Sequence, residues 1–476
     1  MLQKYKGLSL QAKAAIWYTI CNLVQKGISL IVVPIYTRLL TTDEYGMYTV
    51  FMSWLEIFEI IATFRLSWGG YTVGLMKYGE DRDRYSSSTL SLGFTITTVA
   101  FVIYNLIPGV INNITGMSYG TTCLSFILLY ATSAISFWMA RQRVEYQYKM
   151  VVTVTLITSI LIPILGIIGI YISDDKAFAV IAARVIVQGI IGFILVVGTY
   201  SASRAFFNKK YWKRSLKFNV PLLPYYLSTV LLHSSDRIII ERLVGQAQAG
   251  IYGVAYSASM IMSLFNSSLN SSIQPWLFEK LKQKDYKDIP RIISMLLVCV
   301  AGLNGLLIAF APEALTILAP KKYHEAVWII PPLACSVFVM FFYQNFINLE
   351  FYFEESKVIA TASIGAAILN IILNLMFIPL FGYLVAGYTT LICYLVFTFI
   401  HYMVMRRVCK KNQCPTNIFD VRKMFTIMLG FFLVVAVLMI GYTFWPIRLL
   451  FILATVVLLA WKRKNILSGI AFIRKK

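Results

Sequence analysis

The chain has 476 residues, of which 59% are apolar, with a mean hydropathy of +0.73 and a formal net charge of +22. An apolar share well above the ~45–50% of soluble domains excludes a soluble globular protein, and a polytopic membrane protein is expected. The charge would suggest nucleic acid in a soluble chain. Here it is expected in the loops that stay cytoplasmic, and no nucleic-acid partner is expected.

The N-terminus is basic (Lys4, Lys6, Lys13), as in a signal peptide, but the apolar run that follows is long and carries Lys26. It lacks a small-residue cleavage site and reads as a retained transmembrane helix. A polar hairpin, Pro34-Ile-Tyr-Thr-Arg-Leu-Leu-Thr-Thr-Asp-Glu-Tyr-Gly-Met-Tyr48, joins it to the second run. Thr41-Thr42-Asp43 supplies N-cap residue types, and Glu44 falls in the first turn, where the helix dipole favours negative charge. A helix crosses the hydrocarbon core in ~20 residues. Runs of that length predict fourteen spans near 14-40, 46-70, 87-108, 118-139, 151-172, 177-199, 218-240, 249-275, 291-311, 326-349, 358-380, 383-405, 423-444 and 446-461.

Orientation follows from the 43 basic residues: 33 fall on the side of both termini, six on the other, and four deep within spans. Both termini are therefore expected in the cytoplasm. Basic clusters precede span seven (Lys209, Lys210, Lys213, Arg214, Lys217), span nine (Lys280 to Arg291) and span thirteen (Arg406 to Lys411). They read as topology signals that also touch anionic headgroups. Between spans ten and eleven Glu350, Glu354 and Glu355 outnumber Lys357, against the pattern. External connections are short, at Asn112-Asn113 and Asp174-Asp175-Lys176, and the longest, 311-325, leaves no folded extracellular domain. The seven cysteines lie mostly inside apolar runs, are expected to be inert and reduced, and form no zinc site.

The opening hairpin recurs. Arg38-Leu39-Leu40 and Gly46-Met47-Tyr48 return as Arg242-Leu243-Val244 and Gly250-Ile251-Tyr252 at a constant offset of 204 residues. That offset places span one on span seven and span two on span eight without a change of orientation. A parallel duplication follows, which is a transporter design. The expected fold class is an all-α polytopic membrane protein of about 14 transmembrane helices, in two parallel six-helix lobes (1-208 and 209-412) plus a C-terminal helix pair and basic tail (413-476).

This topology and the Pro-Ile-Tyr-Thr-Arg-Leu-Leu…Glu-Tyr-Gly-Met-Tyr hairpin resemble the polysaccharide-exporter branch of the multidrug/oligosaccharidyl-lipid/polysaccharide flippase superfamily. More narrowly, the chain looks like an O-antigen or capsular repeat-unit flippase of the bacterial inner membrane. The resemblance implies translocation of undecaprenyl-pyrophosphate-linked oligosaccharide from the cytoplasmic to the periplasmic leaflet by alternating access. It implies no enzymatic activity and no cofactor, with H+ or Na+ coupling open, and a polysaccharide polymerase and other assembly proteins as partners beside the lipid bilayer.

Ionisable residues inside a membrane are expensive and usually face a polar cavity or pair with one another. Lys26 shares a face of span one with Asn22, Gln25 and Ser29; span two carries Glu56, Glu59 and Arg65, span six Arg184, and span seven His233, Asp236 and Arg237. Polar stripes add Asn266 and Asn270 in span eight, Gln344 and Asn348 in span ten, and Asn370 and Asn374 in span eleven. On one reading Lys26, Arg65, Arg184 and Arg237 hold an anionic pyrophosphate. Asn22, Gln25, Asn266, Asn270, Gln344 and Asn370 would then line a glycan cavity. Glu56, Glu59 and Asp236 are candidates for ion coupling, and Arg38 and Arg242, at equivalent outer ends, for an external gate. On the other reading Lys26 pairs with Glu56 or Glu59, Asp236 with Arg237 or a neighbour, and the amides cement helices.

Three rival functions stay open. A lipid II flippase shares the lipid anchor. A multidrug exporter shares the topology, although its cationic cargo suits an acidic cavity better than the mixed charges here. A membrane glycosyltransferase or polymerase would need a larger external catalytic loop than Asp43-Glu44 or Asp174-Asp175 provides, and the three histidines, 233, 324 and 401, are scattered.

Overall fold

The computed structural model describes residues 9-415, 417-455 and 457. Among them every regular element is helical, and each expected span overlaps a helix, the fourteenth over the part of it that is described. In chain order these are α1 (Leu10–Leu39), α2 (Thr42–Thr63), α3 (Gly70–Lys77), α4 (Arg82–Leu106), α5 (Pro108–Thr115) and α6 (Tyr119–Val144). Then come α7 (Tyr148–Ile172), α8 (Lys176–Ala202), α9 (Lys209–Asn219), α10 (Leu223–Leu243), α11 (Gln246–Gln283) and α12 (Ile289–Ala309). The remainder are α13 (Ala311–Leu318), α14 (Ile330–Tyr352), α15 (Ser356–Phe381), α16 (Ala386–Lys411), α17 (Val421–Ile440) and α18 (Trp445–Thr455). Ten are long and apolar enough to cross a membrane by length and composition. Helices α2, α10 and α11 are as long but carry charges and polar stripes, and are not among the ten. The end of the expected fourteenth span and the basic tail lie outside the described residues.

The first hairpin forms as its residues dictate. Thr41 caps α2: its hydroxyl accepts from the Glu44 amide at 3.1 Å, and the Glu44 carboxylate accepts from the Thr41 amide at 2.7 Å. This reciprocal box satisfies two of the otherwise orphaned donors at a helix start. The second span ends earlier than expected, at Thr63, because Phe64 and Arg65 both turn left-handed (φ 51° and 45°). Four short helices, α3, α5, α9 and α13, occupy stretches read from sequence as span ends or connections. Prolines 34, 163, 275 and 379 sit inside continuous helices, whereas Pro221 lies in the 3-10 turn before α10 and Pro224 in the first turn of α10.

The chain divides into two compact units between Ser234 and Ser235, inside α10. The duplication inferred from the repeat, 1-208 and 209-412, is defined by sequence offset rather than compactness, so the two divisions need not coincide. In the first unit α8 packs on α6 and α7, and α1 lies on α7. Phe51, Leu55, Tyr104, Phe126 and Ile181 from α2, α4, α6 and α8 form one core, and Leu66, Tyr71, Tyr85, Phe137 and Tyr211 form another. In the second unit α14 is the hub, packed on α16, α11 and α12. Many large apolar side chains stay exposed, Phe193, Leu106 and Leu380 among them, as suits helices whose solvent is hydrocarbon.

The α6–α8 contact depends on a bare backbone. A Cβ placed on Gly192 would meet Ala131 Cα at 2.8 Å and its carbonyl oxygen at 3.0 Å, whereas one on Gly189 would meet nothing within 4 Å. Gly192→Ala is therefore expected to destabilise by ~1–3 kcal/mol. Gly189→Ala serves as the comparison in thermal unfolding of the detergent-solubilised protein, and equal melting temperatures for the two variants would show that the backbones separate freely.

Candidate functional site

Charged and amide side chains inside the helices sort into three kinds of environment. Lys26 is the first kind. It is exposed on α1, as are Asn22 and Ser29, with Gln25 half-buried beside them, and no partner for Lys26 exists among the described residues. The expected pairing with Glu56 or Glu59 does not form. Glu56 instead accepts a hydrogen bond from Ser234 Oγ at 2.6 Å, and Glu59 faces Arg65 at 3.4 Å. A long apolar helix with an uncovered polar face around a lysine must set that face against water, because a bare ammonium in hydrocarbon costs several kcal/mol.

The second kind is a cation set against aromatic or hydroxyl groups, in the case of Arg65 beside its pairing with Glu59. Arg65, outside α2 rather than within it, lies 4.4 Å from the Trp68 ring centroid and 5.9 Å from that of Tyr226. Arg184 points Nη2 at the Tyr48 hydroxyl, 3.4 Å away, while its buried Nε lacks a partner. Arg237 stands 4.9 Å from the Tyr256 centroid rather than pairing with Asp236. Arg65 is nearly buried, and a lysine there would lose the planar stack. Arg65→Lys is expected to cost about 0.5–2 kcal/mol, measured as a lower melting temperature; an unchanged one would show that the rings contribute nothing.

Asp236 is the third kind and the most enclosed. On α10 its Oδ2 accepts from Tyr252 at 2.5 Å and Thr390 at 2.8 Å, and Oδ1 accepts from Asn374 Nδ2 at 2.6 Å. Asn370 extends the network, accepting from Ser235 at 2.9 Å and donating to Thr390 at 3.2 Å. The carboxyl is 1% exposed, and among the described residues no cation pairs with it. Four helices, α10, α11, α15 and α16, thus meet on one acid surrounded by neutral donors. Such a group is costly as a bare anion and has two remedies, more donors or a positive ion.

The remaining sequence candidates are placed as follows. Asn266 is buried and donates to the Val337 carbonyl at 2.7 Å, and Asn270 accepts from Asn348 at 2.7 Å; both tie α11 to α14. Gln344 is half-buried on α14. Arg38 and Arg242 are exposed, and Arg38 donates to the Pro34 carbonyl at 2.9 Å. Sequence reasoning missed the Glu350–His401 pair, which is fully buried, with His401 Nδ1 2.9 Å from both carboxylate oxygens. Glu350, expected in the connection between spans ten and eleven, lies in α14. It also missed Tyr252 as an Asp236 ligand, although Tyr252 and Tyr48 are the repeated tyrosines of the hairpin motif. In each unit that tyrosine meets a charge: Arg184 in the first, Asp236 in the second.

Residues 12–281, more than half of the chain, match the family model described as "Polysaccharide biosynthesis protein". The chain belongs to that family. Among relatives, Lsg locus putative protein 1 of Haemophilus influenzae is 21% identical over 75% of this chain and 89% of its own length. An uncharacterized membrane protein of Methanocaldococcus jannaschii is 20% identical over 81% and 82%. A further Haemophilus influenzae membrane protein is 28% identical, but the match spans only 36% of its length. Of solved structures, lipid II flippase MurJ in an inward closed conformation superposes with a TM-score of 0.68 at 17% identity, over 95% of this chain and 100% of MurJ. An inward-facing MATE multidrug transporter of the MOP superfamily gives 0.61 at 13% identity, over 84% and 99%. This family member is thus a multi-pass membrane protein with the MurJ and MATE fold.

Proposed function

We propose that this protein is a flippase that carries an undecaprenyl-pyrophosphate-linked oligosaccharide repeat unit from the cytoplasmic to the periplasmic leaflet by alternating access. O-antigen, capsule or exopolysaccharide synthesis would use the product. The observation that carries the reading is Lys26: an unpartnered ammonium on an uncovered polar face of a membrane-length helix. A pyrophosphate supplies the anion that such a group lacks. Asn22, Gln25 and Ser29 beside it are suited to sugar hydroxyls, and Arg184, with one donor unused, is the second candidate for the headgroup. Arg65 and Arg237, stacked on aromatic rings, are weaker ones. The polyprenyl tail would stay in lipid throughout.

Transport needs no nucleotide on this reading. An inside-negative potential favours outward movement of an anion by ~2.3 kcal/mol per charge per 100 mV. Asp236 is the proposed coupling group for H+ or Na+, ahead of Glu59, which Arg65 neutralises, and Glu56, which is only half-buried. The protein would sit in the bacterial inner membrane with both termini cytoplasmic, working beside a polysaccharide polymerase rather than as an enzyme. The likeness to MurJ favours lipid II as the second cargo to examine.

The test is flipping in proteoliposomes, scored by an external glycan-cleaving reagent, with wild type beside Lys26→Ala. An undecaprenyl-pyrophosphate oligosaccharide and lipid II are offered separately. Wild-type flipping of the oligosaccharide that falls at least about tenfold in the variant supports the reading. Flipping of lipid II alone reassigns the cargo, and flipping indifferent to Lys26→Ala removes the cationic site.

A further inference from the structure

A cleft of about 550 Å³ between α3 and α9 lies in the first unit, apart from the residues of the candidate site, and gathers the basic cluster that precedes span seven. Four of its cations, Lys210, Lys213, Arg214 and Lys217, recur at the spacing that lines one face of a helix. Lys77, in the last turn of α3, adds a fifth. The Tyr78 ring lies beneath them, with Lys210 Nζ and Arg214 Cζ each 5.4 Å from its centroid. Of the nearby carboxylates, Asp81 accepts from the Tyr211 hydroxyl and sits 3.9 Å from Arg84, Asp83 holds Arg141 at 2.6 Å, and Glu80 is exposed and forms no ion pair among the described residues. Among the described residues none of the five cations has a carboxylate partner.

The cleft is held open by contacts independent of those charges. Asn208 caps α9 by accepting from the amides of Lys210 and Tyr211. Trp212 Nε1 donates to the Ser88 carbonyl at 2.9 Å. Burial first, then the hydrogen bond and charge of Asp81, pushes the Tyr211 hydroxyl up to about 12, so it remains a donor at physiological pH. Phe218 can lie against α3 because residue 70 is a glycine: a Cβ there would meet its ring at 2.5 Å. Like charges three and four residues apart repel, so five cations fixed around one cleft favour a multiply charged anion. Exposed Phe206, Phe207, Phe218 and Val220 flank the basic face, the pattern of a helix lying in a membrane interface.

We propose that the α3–α9 cleft is a headgroup site for a membrane lipid carrying two phosphate charges, on the face of the membrane that the basic loops occupy. The chemistry fits the diphosphate of a polyprenyl carrier and the paired phosphates of a cardiolipin alike. The site stands apart from the flippase reading, because it would retain the headgroup whether or not the protein moves it.

The experiment is equilibrium binding to the full-length protein in neutral-lipid nanodiscs, with four probes: a short-chain polyprenyl diphosphate, cardiolipin, phosphatidylglycerol and inorganic pyrophosphate. One of the two-phosphate lipids is expected to bind at least about tenfold more tightly than phosphatidylglycerol or pyrophosphate, and which one does so identifies the source. K213Q/K217Q, two exposed positions, is expected to erase that margin. Lys209→Gln, on the same helix but outside the cleft, is expected to leave it within about twofold. Equal binding by wild type and K213Q/K217Q, an equal loss in Lys209→Gln, or pyrophosphate binding as tightly as either lipid would each overturn the proposal. Because the readout is binding, a wild type that binds but does not flip would remove the transport reading and leave the site standing.

Discussion

Replacing Asp236 by asparagine is expected to abolish the response of transport to an imposed proton or sodium gradient while leaving the protein folded. The substitution keeps the shape of the side chain and removes its capacity to carry a negative charge. Tyr252 and Thr390 both donate to Oδ2, and hydroxyls can rotate to accept from an amide instead, so the network has a way to re-form without collapse. A retained melting temperature, within the equivalent of ~1–2 kcal/mol, together with gradient-independent flipping would mark Asp236 as the coupling group. The competing account makes the acid a cement between α10, α15 and α16. It expects the opposite split: a large loss of stability with the gradient response intact. Running the same assay on Glu56→Gln and Glu59→Gln separates the three carboxylates. Those two variants are expected to keep the response, since one glutamate already has a cation beside it and the other is half-solvated.

The hairpin at residues 34-48 illustrates what was legible from sequence. Its cap residues obey local rules, and local rules survive folding, so the capping box at Thr41 and Glu44 follows from residue types alone. Span existence was equally readable, because apolar runs of membrane length have no other use. The second span illustrates the failure. Hydropathy continues through Trp68, yet α2 stops at Thr63. Two consecutive left-handed residues, neither of them glycine, are an outcome of tertiary contact: Arg65 is held by Glu59 and by the rings of Trp68 and Tyr226. No propensity predicts that.

The candidate site divides along the same line. That Lys26, Arg184 and Asp236 interrupt apolar runs was clear from sequence, since a charge inside such a run is conspicuous. Their partners were not. Asp236 meets Thr390, 154 residues away, and Asn374, 138 away, while Arg184 meets Tyr48 at a separation of 136. Periodicity constrains faces of one helix and says nothing about which faces meet. The repeated Gly-x-Tyr was the one available pointer, since a duplicated tyrosine facing a charge in each unit is a long-range fact written in a short motif.

His401→Leu is expected to lower the melting temperature by roughly 6 °C or more, the equivalent of ~3 kcal/mol in a unit of this size. His401 and Glu350 are both 0% exposed, and Nδ1 lies 2.9 Å from each carboxylate oxygen. Tyr343 and Phe397 close over the imidazole, the latter at 4.3 Å between centroids, so water cannot replace a lost partner. The magnitude decides the character of the pair. A hydrogen bond between neutral groups in a membrane protein averages only ~0.6 kcal/mol, whereas deleting one member of a buried ion pair costs ~3–5 kcal/mol because the other is stranded. The double variant E350L/H401L is then expected to recover most of the loss, since nothing charged remains to be stranded. Strict additivity, with the double variant less stable than either single one, would mean that Glu350 and His401 stabilise α14 and α16 separately and that their contact carries no energy of its own.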